Sequence, residues 1–386
     1  MAERVVVGMS GGVDSAVSAA LLKEQGYDVI GVTLNLAPKS NEDDSLSRED
    51  ACCTLASVED ARRVADRIGI PYYVLNMREH FEQQVIKDFV DEYRRGRTPN
   101  PCIRCNDHVK FGTVLMRAAA LDSELVATGH YARIGYDRDS GRHTLIRGID
   151  RNKDQSYVLY VLTQDELRRT IFPLGGMTKD ETRRKARELG LLVANKVESQ
   201  DICFIPDRDY RGFLRATAPD LVRPGPVVDL DGRVVGQHQG VAFFTVGQRR
   251  NLGVQSAVPL YVIEVDASRD TVVVGPAEAQ YRTRLIASDA NYVALPPNTG
   301  PVECYAQIRS RMEPAPGILR PIEGNSFEFE FHQPQRAITS GQAIVCYKND
   351  TVLAGGVIER SISPRSKNPR DAESAGIARD GSYTPT

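Results

Sequence analysis

The sequence predicts an α/β domain built on a parallel sheet, followed by two small β-rich domains that we expect to be barrels. From residue 4 to about residue 200, short apolar runs alternate with segments of helical period. Beyond a Pro- and Gly-rich stretch at 216–226, short β-rich runs separated by turn signals replace that alternation. The expected units are residues 1–215, 216–280 and 281–362, with a disordered tail at 363–386 that is rich in Ser, Pro, Arg, Asp and Gly.

Strands and helices alternate in the first domain as a parallel sheet requires. The expected strands are Val5–Val7, Val29–Leu34, Tyr72–Leu75 and Leu125–Ala127. The expected helices are Ser15–Gln25, a segment opened by the capping-box sequence Ser57–Asp60, and a segment with the apolar stripe Phe81, Val85, Phe89 and Tyr93. These stripes are core positions, so function must be sought in the connections between them.

Hairpin signals dominate the second half of the chain. Asp231-Gly232 separates two valine pairs, Val227-Val228 and Val234-Val235, and predicts a tight turn between antiparallel strands. A second pair is expected from Tyr261–Val265 and Thr271–Val274, and a further β-rich stretch runs from about 283 to 358.

Composition bounds the class of protein. The chain has a net charge of −2, no apolar run near the length of a membrane span, and no signal-peptide layout at its start. We therefore expect a cytoplasmic protein without a membrane partner. Seven cysteines in such a chain indicate catalysis or metal binding rather than a disulfide scaffold. Local arginine clusters, for example Arg249-Arg250, are either nucleic-acid contacts or solvated surface.

A glycine-rich octapeptide follows the first strand and opens the first helix. It consists of Gly8, Met9, Ser10, Gly11, Gly12, Val13, Asp14 and Ser15. Its glycines allow an anion to approach the backbone, and the N–H groups of a helix N-terminus point at that anion. Neither the lysine of a P-loop nor the spacing of a dinucleotide fingerprint is present. The octapeptide resembles the PP-loop of ATP pyrophosphatases, which implies ATP as substrate, with Asp14 as a candidate ligand of Mg²⁺.

Three cysteines indicate which class of enzyme with such a loop this chain resembles. Cys102 and Cys105 lie in a Pro-containing stretch that we expect to be an irregular loop, and Cys203 lies about a hundred residues further on. Sulfur transfer needs thiolates, whereas amide-forming synthetases do not. The alternative is that Cys102 and Cys105 form half of a zinc site, with His108 as a further ligand. Cys304 and Cys346 lie in strand-like runs, where we expect them to be inert.

Five segments together resemble the bacterial tRNA-uridine 2-sulfurtransferase (2-thiouridylase, MnmA) family. They are Gly8–Ser15, Gly96–Asn106, Ala127–Arg133, Asn152–Tyr157 and Ile202–Phe204. The stretch Gly247–Gly253 extends the resemblance beyond the first domain, so that it covers nearly the whole chain apart from the tail.

The resemblance implies a reaction and a set of site residues. Uridine O2 would be adenylated, and sulfur carried as a persulfide on Cys203 would replace it at C2, with Cys105 as partner thiol. Leu34 and Gly129 would complete the ATP site. The resemblance places tRNA contacts at Asn100, Pro101, Cys102, His130, Lys153, Asp154, Gln155, Arg309, Ser310 and Gln342. It also implies tRNAs for Lys, Glu and Gln as substrates, and a sulfur-donating protein such as a cysteine desulfurase or a relay protein.

One position leaves the sulfur chemistry open. Some family members have Asp where this sequence has Cys102, and members of the Cys-x-x-Cys type are proposed to hold a [4Fe–4S] cluster on three thiolates. Cys102, Cys105 and Cys203 are therefore either cluster ligands or, for the last two, persulfide and partner thiol. Two rival functions also remain: another adenylating enzyme such as an amide-forming synthetase, and an RNA-binding protein with a regulatory nucleotide site.

Overall fold

A computed structural model describes residues 2–36, 55–197, 202–205, 209–297 and 299–362. The tail predicted to be disordered, and the adjacent Cys52 and Cys53, lie outside these residues. Within them, no helix combines the length and the apolar character that crossing a membrane requires.

The described residues form 17 strands. In chain order they are β1 (Arg4–Gly8), β2 (Asp28–Asn35), β3 (Tyr72–Asn76), β4 (Leu125–Ala127), β5 (Ala132–Asp137), β6 (Arg142–Arg147), β7 (Thr170–Ile171), β8 (Gly225–Val228), β9 (Val234–His238), β10 (Tyr261–Asp266), β11 (Thr271–Gly275), β12 (Tyr281–Tyr292), β13 (Val302–Gln307), β14 (Ala315–Ile322), β15 (Ser326–Arg336), β16 (Ala343–Lys348) and β17 (Thr351–Ile362).

The described helices belong mainly to the first domain. They are α1 (Val13–Glu24), α2 (Leu55–Ile68), α3 (Arg78–Phe81), α4 (Lys87–Arg94), α5 (Pro101–Arg104), α6 (Val114–Ala119), α7 (Ser156–Leu159), α8 (Gln164–Arg168), α9 (Lys179–Glu188) and α10 (Tyr210–Thr217). Two π-helical segments, Glu82–Ile86 and Cys105–Thr113, join α3 to α4 and α5 to α6.

The first domain is built on the predicted parallel sheet, in the order β3-β2-β1-β4-β7. The central strand β1 pairs with β2 on one side and β4 on the other, and Val5 and Val7 are fully buried. A strand covered on both faces has this continuous apolar character. The carboxyl end of β1 leads directly into the glycine-rich octapeptide. The octapeptide therefore lies at the carboxyl ends of the parallel strands, where ligands of such folds bind.

Two sequence-based expectations about helix starts were wrong. Ser57 does not cap α2, because that helix already includes Leu55 and Ser57 is buried inside it. The stretch with Cys102 and Cys105 is helical rather than an irregular loop. Pro101 occupies the first turn of α5, where its fixed φ favours a helix and its missing N–H costs nothing.

The remaining strands form two further sheets. The central sheet has the order β10-β11-β8-β9 and contains both predicted hairpins. The C-terminal strands run in the order β12-β15-β14-β13-β16-β17, and pairing of β12 with β17 closes them into a six-stranded barrel. The hairpin β5-β6, which the sequence reading missed, extends this barrel sheet through the pairing of Ile146 with Thr351.

Shared cores hold the domains together. Phe89 and Phe204 of the first domain pack in one hydrophobic cluster with Val262 and Val272 of the central sheet. A second cluster joins Tyr157 of α7 and its neighbours to strands of the barrel. The first domain therefore packs against both the central sheet and the barrel.

Candidate functional site

A large cavity lies at the carboxyl end of the parallel sheet, with a volume of about 1030 Å³. Its walls come from sequence positions that are far apart. They include the octapeptide Gly8–Ser15, the cysteines Cys102, Cys105 and Cys203, the loop Arg151–Gln155, and Ser310–Pro314 from the barrel domain. Leu34, Gly129 and His130 also line it. The cavity thus brings together the predicted nucleotide loop and the three predicted thiols.

The octapeptide is shaped for close approach of an anion. Gly11 has φ +72°, and a Cβ atom there would lie 2.2 Å from the carbonyl oxygen of Ser57. Gly12 precedes α1 and provides no side-chain cap, so the first N–H groups of this 12-residue helix face the cavity without a side-chain acceptor. Gly129 packs against the same turn, because a Cβ there would lie 2.7 Å from the Ser15 nitrogen.

Asp14 forms a partly buried ion pair that the sequence did not predict. The Lys179 ammonium lies 2.7 Å from Asp14 Oδ1 and 2.9 Å from Oδ2, and the Tyr131 hydroxyl donates to Oδ1 at 2.8 Å. The Lys179 side chain is 9% exposed and lines the cavity. Three of about four lone-pair sites on the carboxylate are thereby used. The structure therefore places a fixed positive charge beside the glycine loop.

A second lysine, Lys196, contacts the glycine loop and also lines the cavity. Lys196 donates to the Gly11 carbonyl at 3.2 Å and to Asp60 Oδ2 at 2.6 Å. Lys196 thus joins the glycine loop to Asp60. Neither Lys179 nor Lys196 belongs to a sequence motif. The one local signal is the capping box Thr178–Glu181, which predicts the start of the helix that contains Lys179.

The three cysteines differ in exposure. Cys102 is exposed on α5, Cys105 is buried at the start of the π-helical segment, and Cys203 is half-buried beside the core that contains Phe204. π-Helical turns are rare and often lie at functional sites. Cys304 and Cys346 instead lie inside the barrel, and burial raises the pKa of the Cys346 thiol well above its usual value, in keeping with the expectation that it is inert.

Gln342, a residue predicted to contact tRNA, binds the backbone of the segment that precedes Cys102. Its amide Nε2 donates to the carbonyl of Thr98 at 2.8 Å and to that of Pro99 at 3.2 Å. Thr98 N–H also donates to the Ser340 carbonyl at 2.9 Å. The barrel domain therefore fixes the backbone just before Asn100, Pro101 and Cys102.

In the Lys153–Gln155 loop, two side chains hold the backbone in place and one lines the cavity. Asp154 accepts hydrogen bonds from the backbone of Gly148 and Ser156, and Gln155 Oε1 accepts from Tyr131 N–H at 3.0 Å. Asp154 and Gln155 thus shape the loop, while Lys153 lines the cavity. His130 lies in the cavity wall, buried between Phe111 and Phe172, and burial together with nearby Lys110 holds the pKa of its imidazole well below the usual value.

The arginine clusters fall into two kinds. Arg94, Arg95 and Arg97 form ion pairs with Asp220, Glu92 and Glu359, so they are structural. Arg249, Arg250, Arg309, Ser310 and Arg311 are exposed instead, and Ser310 and Arg311 reach the cavity. Arg309 donates to the Ala337 carbonyl at 2.8 Å, which fixes its direction. Lys153, Ser310 and Arg311 line the cavity that contains the octapeptide and the thiols, and the exposed Arg309 adjoins Ser310; we call these four residues the basic rim.

Comparison with known proteins agrees with these features. A family model described as a tRNA methyl transferase HUP domain matches residues 3–207, a PRC-barrel model matches 211–276, and an aminomethyltransferase β-barrel model matches 282–358. The solved structure of NMN synthetase from Francisella tularensis covers 51% of this chain and 67% of its own at 17% identity, with a TM-score of only 0.31.

Full-length relatives are much closer in sequence. The tRNA-specific 2-thiouridylase MnmA of Heliobacterium modesticaldum is 51% identical over 99% of this chain and 100% of its own length. That of Carboxydothermus hydrogenoformans is 49% identical over 93% and 98%. The description of the family model mentions methyl transfer, but the relatives are named for thiolation, which agrees with a PP-loop and three cysteines in one cavity. The chain belongs to the family of tRNA-specific 2-thiouridylases, MnmA.

Proposed function

We propose that this chain is an ATP-dependent sulfurtransferase that converts the wobble uridine of tRNA to 2-thiouridine. One observation carries the proposal: the glycine loop, Cys102, Cys105 and Cys203 line the same cavity, although they come from three separate parts of the sequence. An adenylating enzyme without sulfur chemistry needs only the first of these. An RNA-binding protein with a regulatory nucleotide site needs no thiol at all.

The chemistry begins at the glycine loop. Uridine O2 attacks the α-phosphorus of ATP, N3 releases its proton to solvent, and pyrophosphate leaves, so that the poor oxygen leaving group becomes AMP. The backbone N–H groups at the start of α1 and the Lys179 ammonium offset the negative charge on the departing phosphates. Asp14 and Tyr131 hold that ammonium in place. We propose Asp14 as a positioning residue, since the ammonium 2.7 Å away would repel a magnesium ion.

Sulfur transfer then completes the reaction at the other end of the cavity. The terminal sulfur of a persulfide on Cys203 attacks C2 and AMP leaves. The Cys105 thiolate next attacks the Cys203 sulfur and breaks the bond between that sulfur and the sulfur now attached to C2. This step releases 2-thiouridine and leaves a Cys105–Cys203 disulfide. N3 regains its proton. The half-buried position of Cys203 and the buried position of Cys105 shield such an intermediate from water.

A [4Fe–4S] cluster on the three cysteines fits the arrangement less well. The described residues contain no group of three His, Cys, Asp or Glu side chains placed to hold a metal ion, although all three thiols line one cavity. We therefore derive no step through a cluster.

Comparison of Cys102→Asp with Cys102→Ala and Cys203→Ala tests this choice. Anaerobically purified protein is analysed for iron and sulfide, and 2-thiouridine is measured by mass spectrometry. We expect both Cys102 variants to thiolate tRNA in iron-free form, while Cys203→Ala forms no 2-thiouridine. Loss of activity in step with iron in all three variants would contradict the persulfide route.

The basic rim is the proposed tRNA-binding surface, with Lys153, Arg309, Ser310 and Arg311 as contacts. The resemblance implies tRNAs for Lys, Glu and Gln as substrates. Cys102 is exposed and Cys203 is partly accessible, so a sulfur-donating protein such as a cysteine desulfurase or a relay protein can deliver sulfur here.

The function is tested with purified protein, ATP, a persulfide donor and unmodified tRNA. We expect AMP release that depends on tRNA, and 2-thiouridine at the wobble position. An amide-forming synthetase would release AMP only with a carboxylic acid and an amine, and a plain RNA-binding protein would release none. Either of those results would overturn the proposal.

A further inference from the structure

Asn106 has a buried acceptor atom that nothing in the described protein satisfies. The residue is 1% exposed, and its Nδ2 donates to the Val158 carbonyl at 2.9 Å. Its Oδ1 is buried and has no hydrogen-bond partner among the described residues. Native proteins pair nearly all such atoms, because leaving a buried acceptor without a partner is costly.

The orientation of this amide is fixed by its other half. If the group were turned over, Oδ1 would face the Val158 carbonyl, acceptor against acceptor, and Nδ2 would be left without a partner. The atom that has no partner is therefore an acceptor. An N–H or O–H group of a ligand can donate to it, whereas a ligand atom with a lone pair would be repelled.

The position of Asn106 indicates what supplies that donor. The residue follows Cys105 directly in the π-helical segment, and both residues line the large cavity together with Val158. A ligand that reaches Oδ1 therefore enters the cavity that Cys105, the proposed partner of Cys203, also lines. In the proposed reaction, the group that enters this part of the cavity is the target base.

Uracil and cytosine differ at the ring atom next to C2. Uracil carries a hydrogen on N3, whereas cytosine has a lone pair there, so an acceptor that cannot turn over distinguishes the two. Enzymes that act on an extruded base commonly read its Watson–Crick edge in this way.

We propose that, in the complex that forms before adenylation removes the N3 proton, Asn106 Oδ1 accepts the N3–H of the target uracil and thereby selects uridine over cytidine. The inference rests on the proposed function, and it assigns Asn106 a role in base specificity. It also accounts for an orphaned acceptor on a residue that lines the cavity.

The test measures binding of three anticodon stem-loops that differ only at the wobble base: uridine, 3-methyluridine and cytidine. We expect the wild-type protein to bind the uridine stem-loop at least about tenfold more tightly than either of the others, as the loss of one buried hydrogen bond predicts. Asn106→Ala removes the acceptor and opens space for the methyl group. In that variant we expect two affinity ratios, uridine to 3-methyluridine and uridine to cytidine, to fall towards one, chiefly because the uridine stem-loop binds less tightly.

Thr170→Val is the matched control, since the Thr170 hydroxyl is also a buried orphan but does not line the cavity. We expect it to keep the wild-type ratios. Wild-type ratios in Asn106→Ala would overturn the inference, as would weaker ATP binding with unchanged ratios. If Asn106→Ala fails to fold, the wild-type comparison of uridine with 3-methyluridine decides, and equal binding overturns the inference. Formation of 2-thiouridine by the wild-type protein tests the proposed function separately from all of these outcomes.

Discussion

The two ends of the cavity are built in different ways. The glycine loop is one run of eight residues, Gly8–Ser15, between a strand and the helix that it opens, and its geometry follows from local backbone preferences. The cysteine end is assembled from α5, the segment with Cys203 and a barrel domain that supplies Gln342. The first end is a motif, whereas the second exists only once the domains have packed together.

This difference decides what a mutation does at each end. A change at the glycine loop removes a charge or a backbone shape from the activation step, and the rest of the site remains. A change at the cysteine end shifts segments that several domains position jointly, so its effect depends on how much of the assembly it disturbs.

The largest effect is expected from Asp14→Ala. Removing the carboxylate releases the buried Lys179 ammonium from both of its hydrogen bonds to Asp14, so the charge beside the phosphates is no longer fixed. We expect tRNA-dependent AMP release to fall by about 10²- to 10³-fold, which is typical when a group that stabilises the transition state is lost. AMP formation at saturating tRNA measures it.

Glu24→Ala is the control for Asp14→Ala. Glu24 pairs with Lys185 at 2.8 Å and so joins the same two helices, α1 and α9, as the Asp14–Lys179 pair, but it does not line the cavity. We expect nearly normal AMP release. Equal losses in the two variants would show that the ion pairs matter only for packing of the helices.

A smaller effect is expected from Gln342→Ala. The variant loses both hydrogen bonds to the carbonyls of Thr98 and Pro99, which frees the backbone before Cys102. We expect kcat/KM for thiolation to fall about tenfold, the equivalent of one well-placed hydrogen bond, with ATP affinity unchanged. Isothermal titration with ATP and single-turnover thiolation separate the two.

Gln335→Ala serves as its control, because Gln335 Nε2 also donates to a backbone carbonyl, that of Gln333, at 2.9 Å but at the exposed end of β15. It should leave both quantities unchanged. A loss of ATP affinity in Gln342→Ala would mean that the two ends of the cavity are not independent.

The sequence was most informative where structure is local. The order of strands and helices around Gly8–Ser15 and the hairpin at Asp231-Gly232 depend on short-range periodicity and turn residues, and the structure confirms them. The helical start at Pro101 was missed because proline favours both loops and first helical turns.

Long-range partners could not be predicted from these patterns. The distances between Lys179 and Asp14 and between Gln342 and Thr98 depend on how distant segments pack, and no spacing in the sequence encodes them. The hairpin β5-β6 is a further case, since it extends a barrel whose strands lie more than a hundred residues away. The resemblance to a family named residues such as Gln342, but it did not distinguish a residue that contacts tRNA from one that holds a loop.

The smallest expected effect concerns His130, which lies where the two ends meet, next to Gly129 and in the cavity wall. Burial and, less strongly, Lys110 lower the pKa of its imidazole, so the folded protein keeps it neutral where the unfolded chain binds a proton. Stability is therefore full above the unfolded pKa of about 6.5 and falls as pH drops below it, by at most about 1.4 kcal/mol per pH unit for one proton. His130→Phe, which keeps an aromatic ring between Phe111 and Phe172, should reduce that slope. Urea unfolding at pH 7.5 and at pH 5.5 measures it, and an unchanged slope in the variant would show that His130 is protonated in the folded state and can carry charge in the cavity.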